Sequence, residues 1–344
     1  MDAREWIKIW FKLFVIVMPI VAIVNYAIDP FWLYTHAHKL NSIQKPFNER
    51  QQKTNHIYFN GMDKYDGILL GSSRTTYINQ NDFGDMNIYN YSSNSGRPIE
   101  FKGFIDFSQK CNGKDLKYII IGADFFGTDI PLVVKSEDPQ FYIDNVEQFA
   151  YKYKMLLSFS SLKESFKNIF SSLKGKARVY YDRENVKYRP RTSDKKRVKS
   201  YNSNIKGRTV AFSDKNYAYD DNYIKRLKEI KRLNPNTKFI IFTSPISSNL
   251  LVSIIKNNNR MDEFARWLKE MIEVFGEVHH FMTINSVTKN LKNYRDAEHY
   301  YENVGRLLAH KISGVESNIT DDDFGIILNQ DNVDDYLHKF KKQI

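Results

Sequence analysis

The sequence predicts an α/β protein: a three-layer domain around a mainly parallel central sheet, with one N-terminal transmembrane helix before it and a basic insertion within it. Three observations lead to this. Short apolar runs at 68–70, 86–91, 116–122, 237–243 and 278–284 alternate with helical patterns, the rhythm of parallel crossover units whose sheet is covered on both faces. Residues 7–28 form an almost unbroken apolar stretch. Between 129 and 216 the strand–helix rhythm disappears.

At 344 residues the chain can bury one large core or carry a main domain with an inserted part. The single cysteine, Cys111, excludes an internal disulfide framework and a thiolate metal cluster. A net charge of +11 favours anionic neighbours: polyanionic polymers, anionic lipid head groups or nucleic acid.

Taken in order, residues 1–34 read as a cytoplasmic tip and a signal anchor. Within 7–28 only Asn25 is strongly polar beyond Lys8 and Lys12, and the run is long enough to span a bilayer. Arg4, Lys8 and Lys12 precede it, Trp6 and Trp10 mark one interface, and Tyr26, Phe31, Trp32 and Tyr34 mark the other. This pattern implies an N terminus inside the plasma membrane and an extracytoplasmic remainder. Residues 25–34 offer no small-x-small cleavage site, which favours an uncleaved anchor over a removed signal peptide.

Residues 35–64 read as a polar neck and a surface helix. His36 and His38 have a metal-like spacing, but no carboxylate or thiolate cluster completes a site. The main domain is expected over 65–316, with an insertion at about 130–215 and a C-terminal extension at 317–344. Its first strand ends in Gly71-Ser72-Ser73-Arg74, a tight turn followed by hydroxyls, which by itself is also an ordinary structural turn. The second strand leads into the turn-rich Ser92-Ser93-Asn94-Ser95-Gly96-Arg97-Pro98, and the third into Gly122-Ala123-Asp124. Helices are expected at 100–108, 149–170, 223–232, 261–275 and 301–312.

Within the insertion, residues 182–208 hold ten Lys and Arg against Asp182, Glu184 and Asp194. This reads as a solvated charged face or as a cap that attracts a polyanion or anionic lipid. No nucleic-acid partner is expected, because no binding motif accompanies the charge. The acidic residues Asp321, Asp322, Asp323, Asp331, Asp334 and Asp335 lack the spacing of a calcium loop and read as solvated surface. No cofactor or metal motif is found.

Near the end stands Arg295-Asp296-Ala297-Glu298-His299-Tyr300. Asp296 and His299 are three residues apart, so one turn can present both on one side. The aspartate can then hold the imidazole that takes a proton from Ser73. A helix cap and a surface histidine are the structural alternatives.

In this order, Gly71-Ser72-Ser73, the Asn94–Gly96 turn, Gly122-Ala123-Asp124 and Asp296-x-x-His299 resemble the SGNH/GDSL hydrolase superfamily. The closer resemblance is to membrane-anchored bacterial members such as alginate O-acetylation proteins and the D-alanine transfer protein of teichoic acid modification. The resemblance implies Ser73 as nucleophile with its N–H in the oxyanion hole, Gly96 N–H as a second donor, and His299 and Asp296 as base and acid. Where the family places a donor asparagine, this chain has Asp124, and a carboxylate repels an oxyanion. Three readings follow: Asp124 is turned away and structural, Asn94 supplies the donor, or two backbone donors suffice; a missing donor costs about 3 kcal/mol.

Arg74 would contact substrate or pair with Asp124, Asp129 and Arg97 stand nearby, and Thr243, Ser244 and Pro245 would shape the cleft. The expected function is an O-acyltransferase or esterase acting on a cell-envelope glycan with an acyl donor, beside a polysaccharide export or acyl-transfer complex. The alternative is a catalytically impaired, polysaccharide-binding or export-accessory protein.

Overall fold

The computed structural model describes residues 2–130, 138–174, 179–316 and 322–344. Asp321, one of the acidic residues named in the sequence, lies outside the described residues. In chain order the elements are α1 (Ala3–Ile28), β1 (Ile43–Gln44), α2 (Glu49–Asn60), β2 (Gly67–Leu70), β3 (Ile88–Asn90), α3 (Pro98–Asn112) and β4 (Tyr118–Ala123). There follow α4 (Pro139–Glu147), α5 (Tyr151–Leu156), α6 (Phe159–Lys174), β5 (Tyr180–Asp182), β6 (Lys187–Tyr188), α7 (Asp194–Ala211), α8 (Tyr223–Leu233) and β7 (Lys238–Thr243). The last are α9 (Ser248–Val252), α10 (Met261–Phe275), β8 (Glu277–His280), α11 (Ser286–Lys289), α12 (Glu302–Ser313), β9 (Ile326–Asn329) and α13 (Val333–Gln343).

The chain divides into two compact units, 1–61 with 140–190 and 62–139 with 191–344. The stretch expected as one insertion at about 130–215 therefore divides near residue 190.

In the first unit, α1 is one helix of 26 residues, long and apolar enough to cross a membrane, and only 6 % of its most apolar window is buried. That exposure separates it from the core helix of a soluble domain; a signal sequence has the same length and composition. Its C-terminal end packs against α5 and α6. Asn25 Nδ2 donates to the carbonyls of Leu156 (2.8 Å) and Ser158 (3.0 Å), so the one strongly polar residue inside the apolar run is satisfied. A small antiparallel sheet runs β1-β5-β6, with Ile43 opposite Asp182. Asn48 caps α2 by accepting from the N–H groups of Arg50 and Gln51. On that helix Glu49 accepts from Lys187 Nζ and Tyr181 Oη, both at 2.6 Å.

In the second unit, six strands run in the order β3-β2-β4-β7-β8-β9, parallel except for β9, which pairs antiparallel with β8. Ile68, Leu69, Leu70, Ile119, Ile120, Ile240 and Ile241 are buried, as a sheet covered on both faces requires. Leu69, Ile120, Ile240 and Phe242 join Val304, Leu307, Leu308 and Ile312 of α12 in one core cluster on one face. The helices α3, α8 and α10, which pack in succession, lie with the crossovers of the other face.

The aspartates of the C-terminal extension that are described, Asp322, Asp323, Asp331, Asp334 and Asp335, are exposed, as expected of solvated surface, while the segment that carries them forms an ordered edge. Leu328 of β9 and Val333, Leu337 and Phe340 of α13 are buried, and α13 packs on α10. Asp334 and Asp335 occupy outward positions of α13, whose apolar stripe repeats at three to four residues.

Candidate active site

Strand order places the site. The chain passes from β2 outward to β3 and then crosses back to β4 on the other side of β2, so the order reverses between β2 and β4. In a doubly wound sheet a crevice opens at the carboxyl ends of the strands at such a reversal. The two segments leaving these ends are Gly71-Ser72-Ser73-Arg74 and Asp124, the residues singled out in the sequence.

The turn after β2 is too crowded for a side chain at its first residue: a Cβ on Gly71 would lie 2.3 Å from Thr75 Oγ1. Gly96 is equally constrained, since its Cβ would fall 2.3 Å from the carbonyl oxygen of Gly71. These two glycines let the turn after β3 lie directly on the turn after β2. Ser72 is fully buried, with its hydroxyl accepting from Arg74 N–H, while Ser73 is half-buried. Thus only the second serine faces outward.

The histidine arrives on a loop closed at its base. Tyr294 and Tyr300 form an antiparallel bridge, and Arg295 N–H donates to the His299 carbonyl at 2.9 Å. Inside this loop Asp296 Oδ1 accepts the N–H groups of Glu298 (3.0 Å) and His299 (2.8 Å). It also receives His299 Nδ1 at 3.0 Å. Burial raises the Asp296 pKa, but the His299 hydrogen bond and charge and the backbone donors outweigh it and hold the carboxyl below its ordinary value. An ionised carboxylate only accepts, so the Nδ1 carries the proton and Nε2 presents its lone pair. Ser73 Oγ lies 2.8 Å from that Nε2.

Directly behind this chain of hydrogen bonds is a buried ion cluster. Arg74 donates through Nη1 to Asp124 Oδ1 and through Nη2 to Glu298 Oε2, both at 2.6 Å. Its guanidinium also lies over the Phe126 ring, 4.9 Å from the centroid. Glu298 further accepts from Asn204 Nδ2 (2.7 Å) and from Arg208 Nε (3.1 Å). Burial opposes ionisation of both Arg74 and Glu298, but the mutual ion pairs win: the Arg74 pKa is raised and the Glu298 pKa is lowered. Arg74, Arg208, Asp124 and Glu298 carry two charges of each sign.

The structure therefore brings together Ser73, His299 and Asp296, and behind them Arg74 and Asp124. Asp124 is buried and bonded to Arg74, in keeping with a structural role among the three readings. Asn94 is exposed on its turn. The Gly96 N–H donates to the Ser93 carbonyl at 3.0 Å, closing the turn in which Ser95 has φ +54°. The need for glycine at 96 comes from its contact with Gly71.

Arg97 donates to the backbone carbonyl of Asp129 (2.9 Å), and the Asp129 carboxylate accepts Ala218 N–H, so this pair braces a loop. Thr243 is buried; its Oγ1 accepts from Phe281 and Met282 N–H and bonds His280 Nδ1, tying β7 to the end of β8. Three residues of the site were not singled out: Glu298, Asn204 and Arg208. Glu298 stands inside the histidine motif itself. Asn204 and Arg208 both point inward from α7, four residues apart on one helix face, a spacing that the surrounding basic composition conceals.

Comparison of the chain with protein-family models, with curated proteins and with solved structures finds no match.

Proposed function

We propose that Ser73, His299 and Asp296 form the nucleophilic centre of a membrane-anchored, SGNH-like O-acyltransferase or esterase acting on a cell-envelope glycan outside the plasma membrane. The observation that carries this reading is the unbroken succession Ser73 Oγ, His299 Nε2, His299 Nδ1, Asp296 carboxylate at 2.8 Å and 3.0 Å. His299 takes the Ser73 proton as Oγ attacks an ester carbonyl, and Asp296 holds the tautomer and stabilises the imidazolium. The tetrahedral intermediate expels the donor alcohol, which receives the proton from His299, leaving an acyl-serine. A glycan hydroxyl, or water, then gives its proton to His299 and takes the acyl group. The apolar N-terminal helix acts as the anchor that keeps this chemistry beside a polymer-export or acyl-transfer complex and the anionic membrane surface.

A second reading has its own support. With Gly96 N–H engaged and a carboxylate at Asp124, the oxyanion side is sparse, which favours a catalytically impaired glycan-binding or export-accessory protein. One experiment separates the two. Full-length protein and its Ser73→Ala variant are treated with a tagged fluorophosphonate and with an aryl acetate, and binding of envelope glycan is measured in parallel. Labelling and turnover that vanish in Ser73→Ala support the enzyme; equal glycan binding by both proteins without serine-dependent labelling or turnover overturns it.

A further inference from the structure

The helix α6 is built inside out. Its buried residues are Ser161, Ser165 and Asn168, spaced so that they share one face. That face meets the outer end of α1: Ser165 Oγ donates to Asn25 Oδ1 at 3.0 Å, and Asn168 Nδ2 donates to the Pro30 carbonyl at 3.3 Å. The opposite face carries Phe159, Phe166, Phe170 and Leu173, exposed by 60 %, 48 %, 57 % and 63 %. A helix on a protein surrounded by water turns its apolar stripe toward the core. Here small polar residues face inward and aromatic ones face outward, with Lys163 and Lys174 exposed along the stripe's border.

Exposed apolar residues also lie on α1 and next to α5. On α1, Ile20 and Ile23 are exposed just before the Asn25 contact with α6 and Tyr26 just after it. Next to α5, which also packs on α1, Tyr153 and Leu157 are exposed and Phe149 is 95 % exposed. Ser165 is level with Asn25, three residues before the end of α1, so it lies about 5 Å along the axis from that end. This is the depth at which an interfacial helix sinks its apolar face, about 5–10 Å into the boundary between headgroups and acyl chains.

We propose that α6 is a second membrane-contact element, lying in the outer interface of the bilayer that α1 crosses. Its phenylalanine stripe sits among the upper acyl chains, and Lys163 and Lys174 sit at anionic headgroups. The occupant is lipid because the helix that carries the stripe packs on the end of the span, and the stripe's border carries the charge that anionic headgroups attract. This inference rests on the reading of α1 as an anchor. It assigns membrane contact to α6, where the sequence pointed to the basic stretch around α7.

Cys111 is the single cysteine, so a nitroxide can be placed at one chosen position of the full chain in a Cys111→Ser background. Labels at Phe166→Cys and Phe170→Cys are compared with Phe14→Cys on α1 and with Val210→Cys on α7 in phosphatidylcholine–phosphatidylglycerol vesicles. The expected result is a several-fold preference for collision with oxygen over a water-soluble nickel chelate at 166, 170 and 14, and the reverse at 210. If 166 and 170 behave like 210 while 14 stays in lipid, the inference fails and the anchor stands. If 14 is also aqueous, both fail. If neither reagent reaches 166 and 170, a protein surface covers the stripe and lipid contact is overturned.

Discussion

Ser73 and Arg74 leave the same turn, and Glu298 and His299 leave the same loop, yet each pair divides. Ser73 and His299 are half-buried and meet through one hydrogen bond of 2.8 Å. Their chain neighbours Arg74 and Glu298 are buried and meet through an ion pair of 2.6 Å. Two turns, 224 residues apart in sequence between Arg74 and Glu298, are thus joined twice, once by a half-buried hydrogen bond and once by a buried ion pair. The difference separates two tasks. On the proposed chemistry Ser73 must exchange its proton and meet substrate, so its own hydrogen bond cannot also be the fastener. The ion cluster fixes the spacing of the two turns behind it, where water does not compete and a displaced charge is expensive.

Neighbouring substitutions should therefore give opposite phenotypes. On the proposed chemistry, Ser73→Ala lowers ester turnover by roughly 10⁶-fold, while thermal unfolding shifts no more than for an ordinary surface change; a large loss of stability would show that the two regions are not separable. Asp296→Asn, which removes the tautomer-setting acceptor, lowers kcat by about 10⁴-fold. The circular dichroism melt then reports whether its two backbone hydrogen bonds are retained by the amide.

Arg74→Met leaves Asp124 and Glu298 buried without their cation and costs about 3–5 kcal/mol in denaturant unfolding. Adding Glu298→Gln should restore part of that loss, because the two changes act on one interaction. If the two losses add fully, the cluster is not the fastener described here.

The smallest effect is on pH. Glu298 has a folded-state pKa below its ordinary value of 4.5, so its contribution to stability is complete above that value and is lost as pH falls toward the folded pKa. Stability of the parent protein measured below pH 4.5 should decline more steeply than that of Glu298→Gln. Parallel profiles would place the acid sensitivity elsewhere.

What could be read in advance follows the same division. The five parallel strands were legible because a strand buried on both faces becomes a continuous apolar run, as at Ile119-Ile120-Ile121. The convergence of Ser73, Asp296 and His299 was legible because the residue types stand in short local patterns, Gly71-Ser72-Ser73 and Asp296-x-x-His299. Of the ion cluster only the Arg74–Asp124 pair stood among the readings of the sequence; Glu298 and Arg208 did not, because they come from separate segments and no local pattern announces a partner so distant in sequence. The antiparallel strand β9 was missed because only Ile326-Ile327-Leu328 marks it, among aspartates that suggest solvent. In the first unit α1 was legible as an apolar run, but the small sheet and the joining of α6 to α1 were not, for a different reason. Its strands β1 and β6 have two residues each, and α6 joins α1 through serines and asparagines in place of an apolar stripe.

Asn25 gives the N-terminal helix a mechanical property that an apolar rod lacks. Its side chain accepts from Ser165 and donates to the carbonyls of Leu156 and Ser158, engaging α6 on one side and the chain between α5 and α6 on the other. A smooth helix can spin about its axis without disturbing what it carries. This one is splined to α5 and α6, so torque applied to α1 is delivered to those helices, and their azimuth follows that of the rod.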